Sequence, residues 1–167
     1  MISLTVLRDG KEEIVHVKGV QNMMYSIKQQ PLISHEILEG NIGLINPSAL
    51  KAGEIDTIMQ EFRTTDGMIV DLRQYPSDVN LQFTLAAYLK KTYSPFVTIA
   101  YPSESVPGIM CKQQNKSGMM MPGQEPYYYD KPVVILINET TQSYAEYTTM
   151  SLRTGENATV LGNNSIG

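Results

Sequence analysis

Residues 133–153 hold the arrangement most open to chemistry: an apolar run VVILIN, a polar turn ETTQ, then Ser143 with Glu146 three positions on. The pattern predicts a strand, a short turn and a helix that starts at Ser143. A hydroxyl placed there stands beside the first backbone N–H groups of a helix, which have no acceptor within it. Those donors, Tyr144 among them, suit a developing oxyanion, and a serine suits a nucleophile. The same residues also spell a capping box, in which the serine caps the helix and the glutamate reaches back to its amide. Spacing alone leaves both roles open, and no base stands close by in sequence.

Other chemistry-bearing residues are sparser. Asp71-Leu72-Arg73 closes the apolar run MIVDL. It reads either as a charged pair tethering the turn that follows, or as the start of a turn, 73–78, whose backbone N–H groups face a substrate carbonyl. His16 and His35 read as a strand residue and a linker residue. Cys111 has no histidine near it and reads as a bystander thiol. Met119-Met120-Met121 reads as a soft apolar patch or as an ordinary packed loop, and Tyr127-Tyr128-Tyr129 as a packing feature.

Composition narrows the function classes. The chain has 167 residues, 42% apolar and 18% charged, enough for one domain with a proper core or for a small domain with an appendage. A net charge of −4 disfavours a nucleic-acid surface, which needs clustered Lys and Arg. No apolar run is long enough to span a membrane, and residues 1–20 do not have a signal-peptide layout. One cysteine excludes an internal disulfide, and two distant histidines argue against a zinc site. No cofactor is implied.

The elements that must position Ser143 follow from periodicity. ISLTVLRDGKEEIVHV reads as a hairpin around Asp9-Gly10. Residues 18–35 take no assignment beyond a linker. Strands are predicted over 42–46, 68–72, 96–101, 133–138 and 158–162. Helices are predicted over 54–62, where Ile55, Ile58, Met59 and Phe62 share a face, over 79–90 and over 143–153. Residues 103–126 read as a long loop. Strands alternating with helices imply an α/β fold with a mostly parallel, helix-covered sheet. In such sheets sites gather beyond the carboxyl ends of the strands, which points to the segments after MIVDL, FVTIAY and VVILIN. A lone hairpin is marginal in water, so 2–17 reads as part of a larger sheet, and GNNSIG directly after a strand reads as a cut end.

Taken in order, GNIGLINPSAL, GMIVDLRQYPSD, KPVVILINETTQSYAEYTTMSLR and NATVLG resemble the catalytic domain of the S41 peptidases, the C-terminal processing or tail-specific proteases, and most of all their Bacteroides-type members. The resemblance covers residues 41–167 and implies the ClpP/crotonase-like core of that family. ISLTVLRDGKEEIVHV resembles the last strands of the PDZ domain that precedes this core. The implied organisation is therefore a PDZ hairpin over 1–20, a linker over 21–40 and a C-terminally incomplete peptidase core over 41–167.

The resemblance assigns the nucleophile to Ser143. It assigns the oxyanion donors to the N–H of Tyr144 and one N–H from the turn after Arg73, at Ser77 or Asp78. Tyr75-Pro76-Ser77-Asp78 stands where the family carries Gly-Gly. The general base of the family's members lies beyond Gly167 or before Met1, so the chain alone is expected to be inactive. The implied activity is serine-type endopeptidase chemistry through an acyl-enzyme, on unfolded or C-terminal polypeptide segments, in a bacterial periplasm or cell envelope. The alternatives are a pseudoprotease that binds peptides as a scaffold and, more weakly, a crotonase-type acyl-transfer enzyme.

Overall fold

The computed structural model describes residues 2–18, 33–92, 94–112, 119–120 and 127–167. The chain divides into two compact units, Met1–Pro31 and Leu32–Gly167. The first is a hairpin of β1 (Ile2–Arg8) and β2 (Lys11–Val17), paired antiparallel from Ile2↔Val17 to Arg8↔Lys11. Its turn places Asp9 at φ 50° and Gly10 at φ 76°, the left-handed pair that a two-residue hairpin of matching twist demands.

The second unit opens with β3 (His35–Leu38) and β4 (Ile42–Ile45), followed by a 3-10 turn at Pro47–Ala49. Then come α1 (Ile55–Glu61), β5 (Gly67–Asp71) and α2 (Leu81–Leu89). The short strands β6 (Ser94–Pro95), β7 (Ala100–Pro102), β8 (Met110–Lys112) and β9 (Met119–Met120) follow. The unit closes with β10 (Val133–Ile137), α3 (Tyr144–Leu152) and β11 (Ala158–Gly162). The main sheet runs β11-β10-β5-β4-β3, parallel throughout except for the antiparallel edge strand β3.

The strand order explains the layering. Each connection from β4 to β5, β5 to β10 and β10 to β11 moves one place in the same direction. Right-handed crossovers therefore put α1, α2 and α3 on one face. That face carries Ile45, Met68, Val70, Val133 and Ile135, all buried with Ile58, Met59, Phe62, Leu81, Leu85, Ala86 and Leu152 of the helical layer. Gly43 sits in the same row because a Cβ there would lie 2.4 Å from the Phe62 ring. The opposite face, with Leu44, Ile69, Val134 and Leu136, is half-buried rather than sealed. β5 is thus closed on one side only, whereas its near-continuous apolar run suggests burial on both.

Three expectations change. Residues 96–101 do not form a core strand: the place beside β5 is taken by β10. Only Ala100–Pro102 is extended and paired, with Met110–Lys112. Phe96 instead packs edge-on against Tyr147, with ring centroids 5.1 Å apart. Residues 35–38, inside the expected linker, form β3, which as a four-residue edge strand shows too little periodicity to be read in advance. Residues 19–32, where the rest of that linker falls, lie outside the described residues, as does Met121. The 103–126 segment contains β8 and β9, the latter paired with Ser94–Pro95.

Candidate active site

The carboxyl ends of β4, β5, β10 and β11 bring four segments together, and side-chain hydroxyls tie them. Thr141 Oγ1, in the turn after β10, donates to the Leu72 carbonyl at 2.9 Å, and Thr140 Oγ1 donates to the Arg73 carbonyl at 2.6 Å. The turn after β5 is held in its own way to the exit of β4. Ser77 N–H donates to Pro47 O at 3.0 Å, and its hydroxyl donates to Pro47 O at 3.1 Å and to Leu50 O. Beyond β11, Asn163 Nδ2 donates to Glu139 at 2.7 Å and Ser165 Oγ donates to Glu146 Oε1 at 2.5 Å. Gly162 makes that exit possible. Its φ is +132°, and a Cβ would lie 1.9 Å from the Ile137 carbonyl oxygen.

Ser143 stands at the start of α3 with φ 51° and ψ −113°. An ordinary N-cap residue has extended backbone, so a plain capping role does not account for this conformation. A non-glycine residue held there carries about 1–3 kcal/mol of strain. Such strain at a sharp strand-to-helix turn thrusts a side chain out of the backbone path, and Ser143 is exposed. Glu146 Oε2 accepts from the Ser143 N–H at 2.8 Å, the returning half of the capping box, and so braces the turn from inside the helix.

Tyr144 begins α3, where its N–H has no intrahelical acceptor. Its phenol reaches Asp78 O at 3.1 Å and Gln82 Oε1, and its ring centroid lies 6.1 Å from that of Tyr75. Burial pushes this phenol above the usual tyrosine range, against hydrogen bonds that pull the other way. Asp78 is buried, and its carboxylate accepts from Asn80 N–H at 2.9 Å. The structure thus joins Tyr144 to Asp78 directly. It places Ser77 in the same turn but commits the Ser77 N–H to Pro47.

Asp71 and Arg73 take the tethering role. Arg73 donates through Nε at 2.9 Å, Nη2 at 2.7 Å and its backbone N–H at 3.1 Å. Burial raises the Asp71 carboxyl, but these bonds and the guanidinium charge outweigh it and hold it below the usual carboxylate range. The other candidates stay apart. His16 pairs with Ser3 on the hairpin at 3.0 Å, and His35 Nε2 lies 3.2 Å from Glu61. Cys111 is exposed on β8. Tyr129 is buried, its hydroxyl 2.8 Å from Thr65, which makes that aromatic a packing residue. Among the described residues no group of three or more His, Cys, Asp or Glu could hold a metal ion. Thr140 and Gln82 escape a sequence reading, since neither shows a periodicity of its own.

Residues 41–167 fit the sequence profile of peptidase family S41, and the chain belongs to that family. Two solved structures share the fold. One is a protein of Parabacteroides merdae assigned as a peptidase, with TM-score 0.61 and 16% identity over 75% of this chain and 41% of that one. The other is a photosystem II D1 C-terminal processing protease, with TM-score 0.51 and 13% identity over 78% of this chain and 33% of that one. The chain therefore spans less than half the length of either. No curated protein matches it.

Proposed function

We propose that the protein is a serine-type endopeptidase that works through an acyl-enzyme, with Ser143 as nucleophile. The observation that carries this reading is the backbone of Ser143, held at φ 51°, ψ −113° on the carboxyl edge of the sheet of an S41 member. Ser143 Oγ attacks the scissile carbonyl carbon, its proton passes to a base, and the amine leaves once protonated. Water then releases the acyl group. The Tyr144 N–H and the N–H of Asp78 stabilise the oxyanion. Ser77 supports this reading less well, because its N–H already serves Pro47.

Substrates are extended, unfolded or C-terminal polypeptide segments. The β1–β2 hairpin belongs to a PDZ module that binds them by strand addition. The setting is a bacterial periplasm or cell envelope. Among the described residues no helix is long and apolar enough to cross a membrane. A second reading, a peptide-binding pseudoprotease, draws on the turn at Tyr75-Pro76-Ser77-Asp78, where the family's glycines are replaced and one amide is engaged.

The test is casein degradation by the full-length protein beside its Ser143→Ala variant. Loss of turnover in the variant alone is the expected result. Intact casein with both proteins, together with retained binding of C-terminal peptides, gives the pseudoprotease reading. Equal cleavage by both removes Ser143 from the chemistry.

A further inference from the structure

One side chain reaches across the two halves of the candidate site. The backbone of Tyr144 follows Ser143 in the first turn of α3, while its phenol crosses to the turn after β5. There it meets the Asp78 carbonyl at 3.1 Å and Gln82 Oε1, with the tilted Tyr75 ring beside it. The seam it enters is nearly dry: Asp78 is 5% exposed and Gln82 6%. Ser151 Oγ, also buried, donates to the Gln82 carbonyl at 2.6 Å and pins α2 to α3 behind the phenol. A hydrogen bond in such surroundings fixes position more firmly than one at the surface, because its loss leaves a buried acceptor unpaired.

At their roots the two arms are joined by Thr140 and Thr141, which donate to the Arg73 and Leu72 carbonyls; farther out their anchors are separate. The turn over 75–78 is fastened to the exit of β4 through Ser77, and the start of α3 is braced within its own helix by Glu146. The threonine ties fix the arms only at residues 72–73 and 140–141, and neither outer anchor joins residue 78 to residue 144. The Tyr144 phenol does, because it is rigid, spans the gap and ends on the carbonyl of Asp78.

We infer that the Tyr144 side chain is a positioning strut that sets the separation of the two oxyanion donors, the N–H of Tyr144 and the N–H of Asp78. This rests on the serine-peptidase reading. The phenol itself does not touch the reacting atoms. Donors act on a developing oxyanion only within hydrogen-bond distance of where it forms, so a loosened pair weakens the transition state more than the bound substrate.

The experiment uses the full-length protein and a cleavable peptide, comparing wild type, Tyr144→Phe, Gln82→Met and Ser143→Ala. Two probes accompany it. A peptide aldehyde takes up the serine by addition, with nothing leaving, and mimics the tetrahedral state. The same peptide as an unreactive amide reports ground-state binding. Removing a donor outright costs 10²–10³ in kcat, so displacing one in Tyr144→Phe should cost about tenfold. The aldehyde weakens by the same factor, while KM and the amide's affinity hold within about twofold. Gln82→Met, which leaves the Asp78 bond, shows a smaller loss in the same direction. An unchanged kcat in Tyr144→Phe overturns the strut, and so does an equal weakening of the aldehyde and the amide. Activity that survives Ser143→Ala overturns the nucleophile assignment instead, whatever Tyr144→Phe shows.

Discussion

The two ends of the parallel strands are built by different means. At the amino ends, backbone meets backbone: Asp66 N–H to Asn41 O at 2.9 Å, Met68 N–H to Pro132 O at 3.0 Å, Val133 N–H to Asn157 O at 2.9 Å. Aromatics fill in around them, buried Tyr129 against Thr65 and half-buried Tyr127 onto the Met59 carbonyl. At the carboxyl ends the ties are hydroxyls reaching across loops from Thr140, Thr141, Ser77 and Ser165, and the one strained residue among them, Ser143, is exposed. Backbone ladders and packed rings resist substitution and hold the fold. Hydroxyl ties hold loops at a set spacing while leaving donors and a nucleophile open. In the proposed reading, the difference leaves stability to one end and chemistry to the other.

Ser143→Gly should separate the two most sharply. Glycine adopts φ 51° without a Cβ penalty, so the folded state gains about 1 kcal/mol, read as a higher urea midpoint at unchanged slope. Peptide hydrolysis by the full-length protein should fall by about 10³-fold or more, as expected for loss of a nucleophile. A variant that is both inactive and less stable would mean that the Ser143 conformation is not strained, and the contrast between the ends would lose its main support.

The converse change belongs at the amino end. Tyr129→Phe removes the hydroxyl that meets Thr65 Oγ1 at 2.8 Å while leaving the ring in place. Thr65 Oγ1 also donates to the Phe62 carbonyl at 2.8 Å, so it is not orphaned. The expected cost is about 1 kcal/mol by denaturant titration, with kcat unchanged. A loss of kcat without loss of stability would place Tyr129 in the catalytic machinery and blur the division.

The division also marks what could be read from the residues in order. Long apolar elements were legible: β5, β10, β11 and all three helices fall within a few residues of their periodicity, because burial against one helical layer enforces it. β3 was not, since a short edge strand with Ile37 half-exposed leaves almost no pattern. Residues 96–101 had the right composition for a core strand. The sheet had no place for them, and strand order is a tertiary fact that local composition does not carry. The same limit applies at the site. The place of Ser143 relative to strand and helix was visible, but its φ was not, nor was the commitment of the Ser77 N–H to Pro47. Nothing along the chain announces that the Tyr144 phenol crosses to residues more than sixty positions earlier.

The smallest expected effect tests whether the carboxyl end contributes to stability through charge at all. Asp71 is pushed up by burial and pulled down further by Arg73, so its net shift is below the ordinary value of 3.8. A carboxyl whose pKa is lowered on folding adds stability at pH values above its unfolded pKa, and that contribution is lost as the pH falls through the lowered, folded value. Arg73 is half-exposed, so solvent screens the pair and its worth at pH 7 is about 0.5 kcal/mol. Asp71→Asn should therefore lie below wild type by that amount in urea titrations between pH 5 and pH 7. The gap should close as the pH drops below 3.8, where wild type loses the charge and the variant has none to lose. A gap that persists unchanged into acid would show that Asp71 steadies the turn after β5 by hydrogen-bond geometry alone, with no contribution from its charge.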